Sequence, residues 1–428
     1  MRAVSLALAD RKYLRLAVMC ALYVAQGIPF GFAHITLTAY FADKGASTAE
    51  VGAFTALIGI PWTFKWVLGP FLDRMSRSSM GRRRPFILIA QAMMILFSLV
   101  LIAVPGLSDD LRTLGWIWLA YNVFVALQDV SVDALAVDLL PEHERGLANG
   151  LMYGCATLGQ IIGGAGLSIV VADYGLQSGM IVLVLGLGSI MVLPLFLRER
   201  AGDTFLSLRL RARNAGQAAT STRTLFVDLF RAFARRSPLF GVVWALSIFV
   251  GLYGLITIGQ VLLIQKLGWS AEEYGKLAGG WPSLVLLGGS VAGGWVADRL
   301  GHRRVQAVAS ILLGLIWIAF ALLESQWTDR TFILAFSCVE AAFIGILSAA
   351  FFALAMDIAW PRVVATQFTA FMALGNLSRI VGAKLAGPVE EWFGTAGAYI
   401  AFGIFQIAII VLLLPIDPHQ NRRELGTE

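Results

Sequence analysis

The chain has 428 residues, of which 58% are apolar and 14% charged, with a mean hydropathy of +0.76 and a formal net charge of +6. Soluble domains carry about 25% charged residues, so the composition excludes an ordinary soluble fold and points to a chain immersed in lipid. A positive balance in a soluble protein would invite a nucleic-acid partner, but here the charges sit where membrane insertion puts them, and no nucleic acid is expected.

A hydrocarbon layer about 30 Å thick takes roughly 20 apolar residues per helical crossing. Such stretches predict spans near 14–41, 49–72, 86–105, 113–138, 147–172 and 177–197, then 239–264, 273–298, 305–323, 331–357, 364–390 and 396–415. A barrel needs segments of alternating polarity, whereas Phe86 to Pro105 is apolar on every side. The fold class expected is therefore an all-α integral membrane protein with twelve transmembrane helices. The first apolar run outlasts the h-region of a leader, so no cleavage is expected.

Lys and Arg concentrate in alternate connections. Arg2, Arg11, Lys12 and Arg15 precede span one, Arg74, Arg77, Arg82, Arg83 and Arg84 follow span two, and Arg145 follows span four. Nine Arg lie between Arg198 and Pro238, and Arg299, Arg303, Arg304, Arg362, Arg422 and Arg423 complete the set. The positive-inside rule puts all of these, with both termini, in the cytoplasm. Cys20, Cys155 and Cys338 fall inside helices without zinc-ligand spacing, so neither disulfide, metal nor cofactor is expected. Walker-type and Gly-x-Ser-x-Gly motifs are missing, which argues against a pump or a membrane enzyme.

The two halves repeat one another. Ser47 and Glu50 open span two as Ser270 and Glu273 open span eight, in capping-box spacing. The same spans end at Gly69-Pro70-Phe71-Leu72-Asp73-Arg74, followed by Gly81-Arg82-Arg83-Arg84, and at Gly294-Trp295-Val296-Ala297-Asp298-Arg299, followed by Gly301-His302-Arg303-Arg304. Ala134 to Asp138 in span four echoes Ala353 to Asp357 in span ten. These repeats divide the chain into a six-helix bundle over 1–197, a basic linker over 198–238 and a second six-helix bundle over 239–428. Thr224 to Ala234 has the pattern of a surface helix, although an ordinary linker is the favoured reading there.

The doubled loop resembles the signature loop of the major facilitator superfamily. That resemblance implies a pseudo-symmetric fold and a cytoplasmic gate made by Asp73, Arg74, Arg82 and Arg83 in one half and Asp298, Arg299 and Arg303 in the other. It implies a secondary transporter, monomeric, whose partners are the lipid bilayer and a small solute.

Ionisable residues inside the membrane mark function, since each is costly there unless paired or wetted. Lys65 stands eight residues before Asp73, about 12 Å along the helix, and Asp129 stands nine before Asp138 at a similar depth. Asp129 and Asp133 are four apart, so they share a helix face and would repel if both were ionised. One of them is expected to carry a proton, which makes the pair the candidate for proton coupling, with Lys65 neutralising the other. In the second half, Glu340 in span ten and Arg379 and Lys384 in span eleven are candidates for an ion pair or for holding an anionic solute. Gln26, Gln128 and Gln367 are candidates to line a cavity, against a packing alternative.

A narrower resemblance runs through most of the chain. Leu127-Gln128-Asp129-Val130-Ser131-Val132-Asp133-Ala134, Asp138-Leu139-Leu140-Pro141, Leu22 to Pro29, Phe64-Lys65 and Ala365-Thr366-Gln367-Phe368 resemble the peptide, acetyl-CoA and muropeptide branch of the superfamily, the AmpG-like permeases. The resemblance implies proton-driven import of anhydromuropeptides across a bacterial inner membrane. Siderophore uptake by a sister group of the same branch is nearly tied, and solute efflux is a third reading.

Overall fold

A computed structural model describes residues 7–68, 72, 78–104, 106, 110–205, 207, 222–418 and 420–425. The longer described helices are, in order, α1 (Lys12–Gly31), α2 (Thr48–Phe64), α3 (Arg84–Ala103), α4 (Leu111–Leu139), α5 (Glu142–Ile161), α6 (Leu167–Phe196), α7 (Thr222–Phe233), α8 (Arg236–Ser247), α9 (Val250–Val261), α10 (Ala271–Gly279), α11 (Trp281–Leu300), α12 (His302–Leu322), α13 (Arg330–Ile358) and α14 (Val364–Ala408). Strands are absent among the described residues; one isolated bridge joins Ala7 to Arg198.

Among the described residues, eight continuous helical stretches are long and apolar enough to cross a bilayer. Two of them, Gly150–Phe196 with 47 residues and Thr366–Leu413 with 48, would each reach about 70 Å if straight, twice what one crossing needs. Gly175, at φ +83° and ψ 167°, breaks the first. The Cβ position of Gly179 then lies 2.5 Å from the Val171 side chain, eight residues away in sequence, so the chain has doubled back. Gly394, at φ +71°, breaks the second in the same conformation. Each stretch thus supplies two of the expected spans. Span two corresponds to α2 and span eight to α10 with α11.

Contacts divide the chain into two compact units whose membership crosses the sequence halves. One unit holds Met1–Tyr40, Phe64–Gly216 and Ala271–Gly279; the other holds Phe41–Thr63, Gln217–Ser270 and Gly280–Glu428. In the first unit α1 lies backbone to backbone on α5. The Cβ position of Gly27 is 2.1 Å from the Ala156 carbonyl oxygen, and that of Gly163 is 1.9 Å from the Ile28 carbonyl oxygen. Small residues permit this approach, and in lipid, where apolar burial gives helices little reason to associate, close packing supplies the attraction. Gly27 and Gly163 therefore serve close packing here. Leu22, Val132, Leu135 and Met152 fill the core around them. Helix α10 belongs here through Gly275 and Gly279, whose Cβ positions meet Ser168 and Ala165.

In the second unit α11 packs on α13 by the same device: the Cβ position of Gly345 is 2.3 Å from the Leu286 carbonyl oxygen and that of Gly289 is 2.4 Å from the Ala342 carbonyl oxygen. The start of α2 is part of this unit. Gly52 abuts the Ala383 carbonyl, Gly387 abuts Ala49, and Thr48 Oγ1 donates to Glu390 at 2.5 Å. The linker contains a docked helix rather than only an ordinary connection. Asp228 of α7 pairs with Arg362 at 3.1 Å, Ala232 packs against Trp360 and Val363, and the Phe233 ring lies 5.5 Å from that of Phe371.

Candidate functional site

In the first unit, α2 ends at Phe64 and tightens into a 3-10 turn, Lys65–Val67, which carries Lys65. Its ammonium meets Asp129 Oδ2 of α4 at 2.9 Å. Gln26 Nε2 of α1 donates to the other oxygen of Asp129 at 2.6 Å. Asp129 is 4% exposed and satisfied on both oxygens, as a buried charge must be. Asp133, one turn on, is exposed, and the Tyr23 hydroxyl donates to it. The pair that sequence alone left equivalent is thus divided by its surroundings: Asp129 is paired with a cation, Asp133 with a hydroxyl.

Of the glutamines, Gln26 belongs to this cluster and the other two correct the expectation of a cavity lining. Gln128 and Gln367 are each 0% exposed. Gln128 Nε2 donates to the Leu22 carbonyl oxygen at 3.0 Å, and Gln367 Oε1 accepts from the Trp360 amide at 2.8 Å. Both satisfy backbone groups inside packed helices.

In the second unit, Glu340 and Arg379 do not form the ion pair that was one reading of them. Glu340 Oε1 accepts from Trp317 Nε1 of α12 at 2.7 Å. The Arg379 guanidinium stands over two rings of the α8–α9 segment, 4.8 Å from the Phe249 centroid and 5.3 Å from that of Tyr253. No carboxylate pairs with it among the described residues.

Asp73 and Arg74 lie outside the described residues. Arg82 and Arg83 both reach Asp138 at the end of α4, at 3.6 and 2.9 Å. The loop is seated on a residue that sequence reasoning passed over. Glu199 accepts from the backbone amides of Arg82, Arg83 and Arg84 at 2.9, 2.7 and 2.6 Å, capping the N-terminus of α3 where amides lack helical partners. Burial pushes the Glu199 carboxyl above the usual range, and the three amide bonds pull against that shift. Gly81 makes the seat possible: at φ +121° it is in the glycine region, and a Cβ there would lie 2.6 Å from Glu199 Oε1. Arg84, 2% exposed, donates to the carbonyls of Pro194, Leu195 and Thr204 and so ties α3 to the end of α6.

In the other loop the expected latch is rearranged. Arg299 stacks on Trp295 at 3.7 Å, and Arg303 donates to the Ile416 carbonyl oxygen at 2.6 Å, so neither holds Asp298. His302 does. Its Nε2 lies 3.2 Å from Asp298 and its Nδ1 2.5 Å from Asp357. A signal for it existed: His302 occupies the place in the second loop that an arginine occupies in the first.

Most of these helices and both loops lie inside one match. The family model described as Major Facilitator Superfamily aligns with residues 16–383. The chain belongs to that superfamily. As a superfamily member it is a multi-pass membrane protein and a secondary transporter, with AmpG-like relatives. It is 27% identical over 412 residues to the anhydromuropeptide permease of Escherichia coli strain K12, covering 93% of this chain and 78% of that protein. It is 21% identical over 422 residues to the putative transporter AmpG 4 of Rickettsia felis, covering 95% and 97%. Among solved structures, a point mutant of the nucleoside transporter NupG superposes with a TM-score of 0.73 at 12% identity, covering 94% of this chain and 99% of that one. The D-xylose-proton symporter superposes with a TM-score of 0.70 at 12% identity, covering 94% and 98%. At such identities the structures speak to the fold alone, which is the major facilitator fold.

Proposed function

We propose that this superfamily member is a proton-coupled importer of anhydromuropeptides in a bacterial inner membrane, working as a monomer with both termini in the cytoplasm. The observation that carries the coupling assignment is the Lys65–Asp129 pair with Asp133 open beside it. Asp129 is committed to Lys65 and Gln26, so the next carboxylate on the same face is the one free to exchange protons with water. An ionised Asp133 repels Asp129 and competes for Lys65. A protonated Asp133 leaves the pair undisturbed, so proton loading changes the electrostatic balance between α2 and α4. Tyr23 orients the carboxyl from α1. The relative's name favours muropeptide over siderophore as the first compound to try, and a proton gradient directed into the cell would drive its import.

The test is uptake of labelled anhydromuropeptide and of a labelled siderophore into proteoliposomes, with and without an inward proton gradient, for the native chain and Asp133→Asn. Gradient-driven muropeptide uptake that disappears in the variant supports the whole reading. Uptake of the siderophore instead would replace the substrate, and gradient dependence surviving in Asp133→Asn would remove Asp133 from the coupling step.

A further inference from the structure

Arg379 has no carboxylate partner among the described residues of its unit. In the expected span 364–390 it stands fifteen residues from one end and eleven from the other, about 22 and 16 Å by helical rise, so it lies near mid-membrane. An arginine at that depth is costly unless it is paired or wetted. Two acids of its own unit are engaged elsewhere, Glu340 by Trp317, and Glu390 by Thr48, Lys266 and Thr395. What Arg379 has instead is an aromatic platform and an Nε atom that is buried without a hydrogen-bond partner.

The platform is rigid for reasons visible in the backbone. The helical path breaks at Phe249, at φ −104° and ψ 4°, between α8 and α9. Ser378 Oγ, next to Arg379 in sequence, accepts the Phe249 amide at 2.9 Å. The Cβ position of Gly382 lies 2.2 Å from the Val250 carbonyl oxygen, so α14 is pressed onto the break itself. Phe249 is 1% exposed and meets Phe351 edge-on at 5.2 Å. A guanidinium placed over such rings keeps its favourable contact with their faces, and its terminal N–H groups match a carboxylate in two parallel bonds.

We propose that Arg379, seated on Phe249 and Tyr253, is the subsite for a carboxylate of the transported solute. The assignment rests on the transporter reading and adds a chemical requirement to it: the solute's peptide portion must present a free carboxylate to α14. Charge alone does not meet the geometry, so lysine at this position fails to replace arginine fully.

The experiment compares two probes, an anhydromuropeptide with free peptide carboxylates and the same compound with those carboxylates amidated, in native protein, Arg379→Gln and Arg379→Lys. In the native protein amidation raises KM by about 10- to 100-fold, the value of a lost charge-assisted bond. Arg379→Gln raises KM for the free acid by a similar factor and leaves the amide unchanged; Arg379→Lys falls between. Equal losses for acid and amide in Arg379→Gln, or native protein that treats the two probes alike, overturn the proposal. If Arg379→Gln does not fold, the native and Arg379→Lys comparison decides on the same terms. Should native protein show no gradient-driven uptake of the acid, the transport reading has failed instead. Stabilisation of the detergent-solubilised protein by the acid but not by the amide then still reads this subsite, and equal or no stabilisation overturns it.

Discussion

Replacing Lys65 with methionine removes one member of an ion pair whose side chains are only 16% and 6% exposed. Asp129 keeps the Gln26 amide but loses the charge that neutralises it. Breaking a buried pair on one side costs about 3–5 kcal/mol, because the surviving charge is stranded; replacing both partners with neutral groups of similar size is close to neutral. Lys65→Met alone is therefore expected to lose about 3–5 kcal/mol, and Lys65→Met with Asp129→Asn to regain most of it, since an asparagine at that position still accepts from Gln26. Denaturant unfolding in micelles, followed for the native chain, both single variants and the double variant, gives the coupling energy directly. A double variant no more stable than Lys65→Met would refute the argument, for it would mean that something other than the stranded Asp129 charge causes the loss.

Glu144 accepts from Arg15 at 2.7 Å and lies 3.5 Å from Lys12, and the bond from Arg15 holds its carboxyl below the usual glutamate range. A depressed acid contributes stability that is complete above its unfolded value, about pH 4.3, and is lost as pH falls through the folded one. Melting curves at descending pH should therefore steepen below about pH 4 in the native chain and flatten in Glu144→Gln. Gly81→Ala strains a positive-φ position and drives a methyl into a carboxylate pinned by three amides, so a loss of about 1–3 kcal/mol is expected, read by the same unfolding assay; a neutral effect would mean the loop relaxes freely. Trp317→Phe strips Glu340 of its N–H donor. It should destabilise more than Trp317→Phe combined with Glu340→Leu, which thermal melts of the two variants compare.

The long apolar helices were readable because apolar length acts locally, residue by residue. Lys65 and Asp129 could be matched by depth alone, and the structure joins them. What stayed hidden depends on which helix lies beside which. Nothing near Glu199 in the chain announces that it caps a helix beginning at Arg84, more than a hundred residues earlier. Gln128 and Gln367 look like any membrane glutamine until their backbone partners, Leu22 and Trp360, are seen. The same applies to Glu340, whose hydrogen-bond partner is the indole of Trp317 and not a cation. Phe41–Thr63 and Ala271–Gly279 each pack with the opposite half's helices, an exchange that a boundary drawn from sequence repeats has no means to register.

The repeats nevertheless hold a physical difference. Arg83 and His302 are 219 residues apart, as are Asp138 and Asp357, and each basic side chain meets its acid at the start of a helix. Arg83 is a permanent cation with a second arginine beside it. His302 is a group whose ordinary titration falls within the physiological range, and it bridges two acids, of which Asp298 is 79% exposed in its side chain. Two loops built on one plan therefore differ in whether their clasp depends on proton supply. Replacing His302 with arginine should make the second clasp as constant as the first, so that the variant's melting temperature varies less between pH 6 and 8 than the native chain's. Equal pH dependence in the two proteins would show that the His302 bridge to Asp298 and Asp357 does not contribute to stability through its charge.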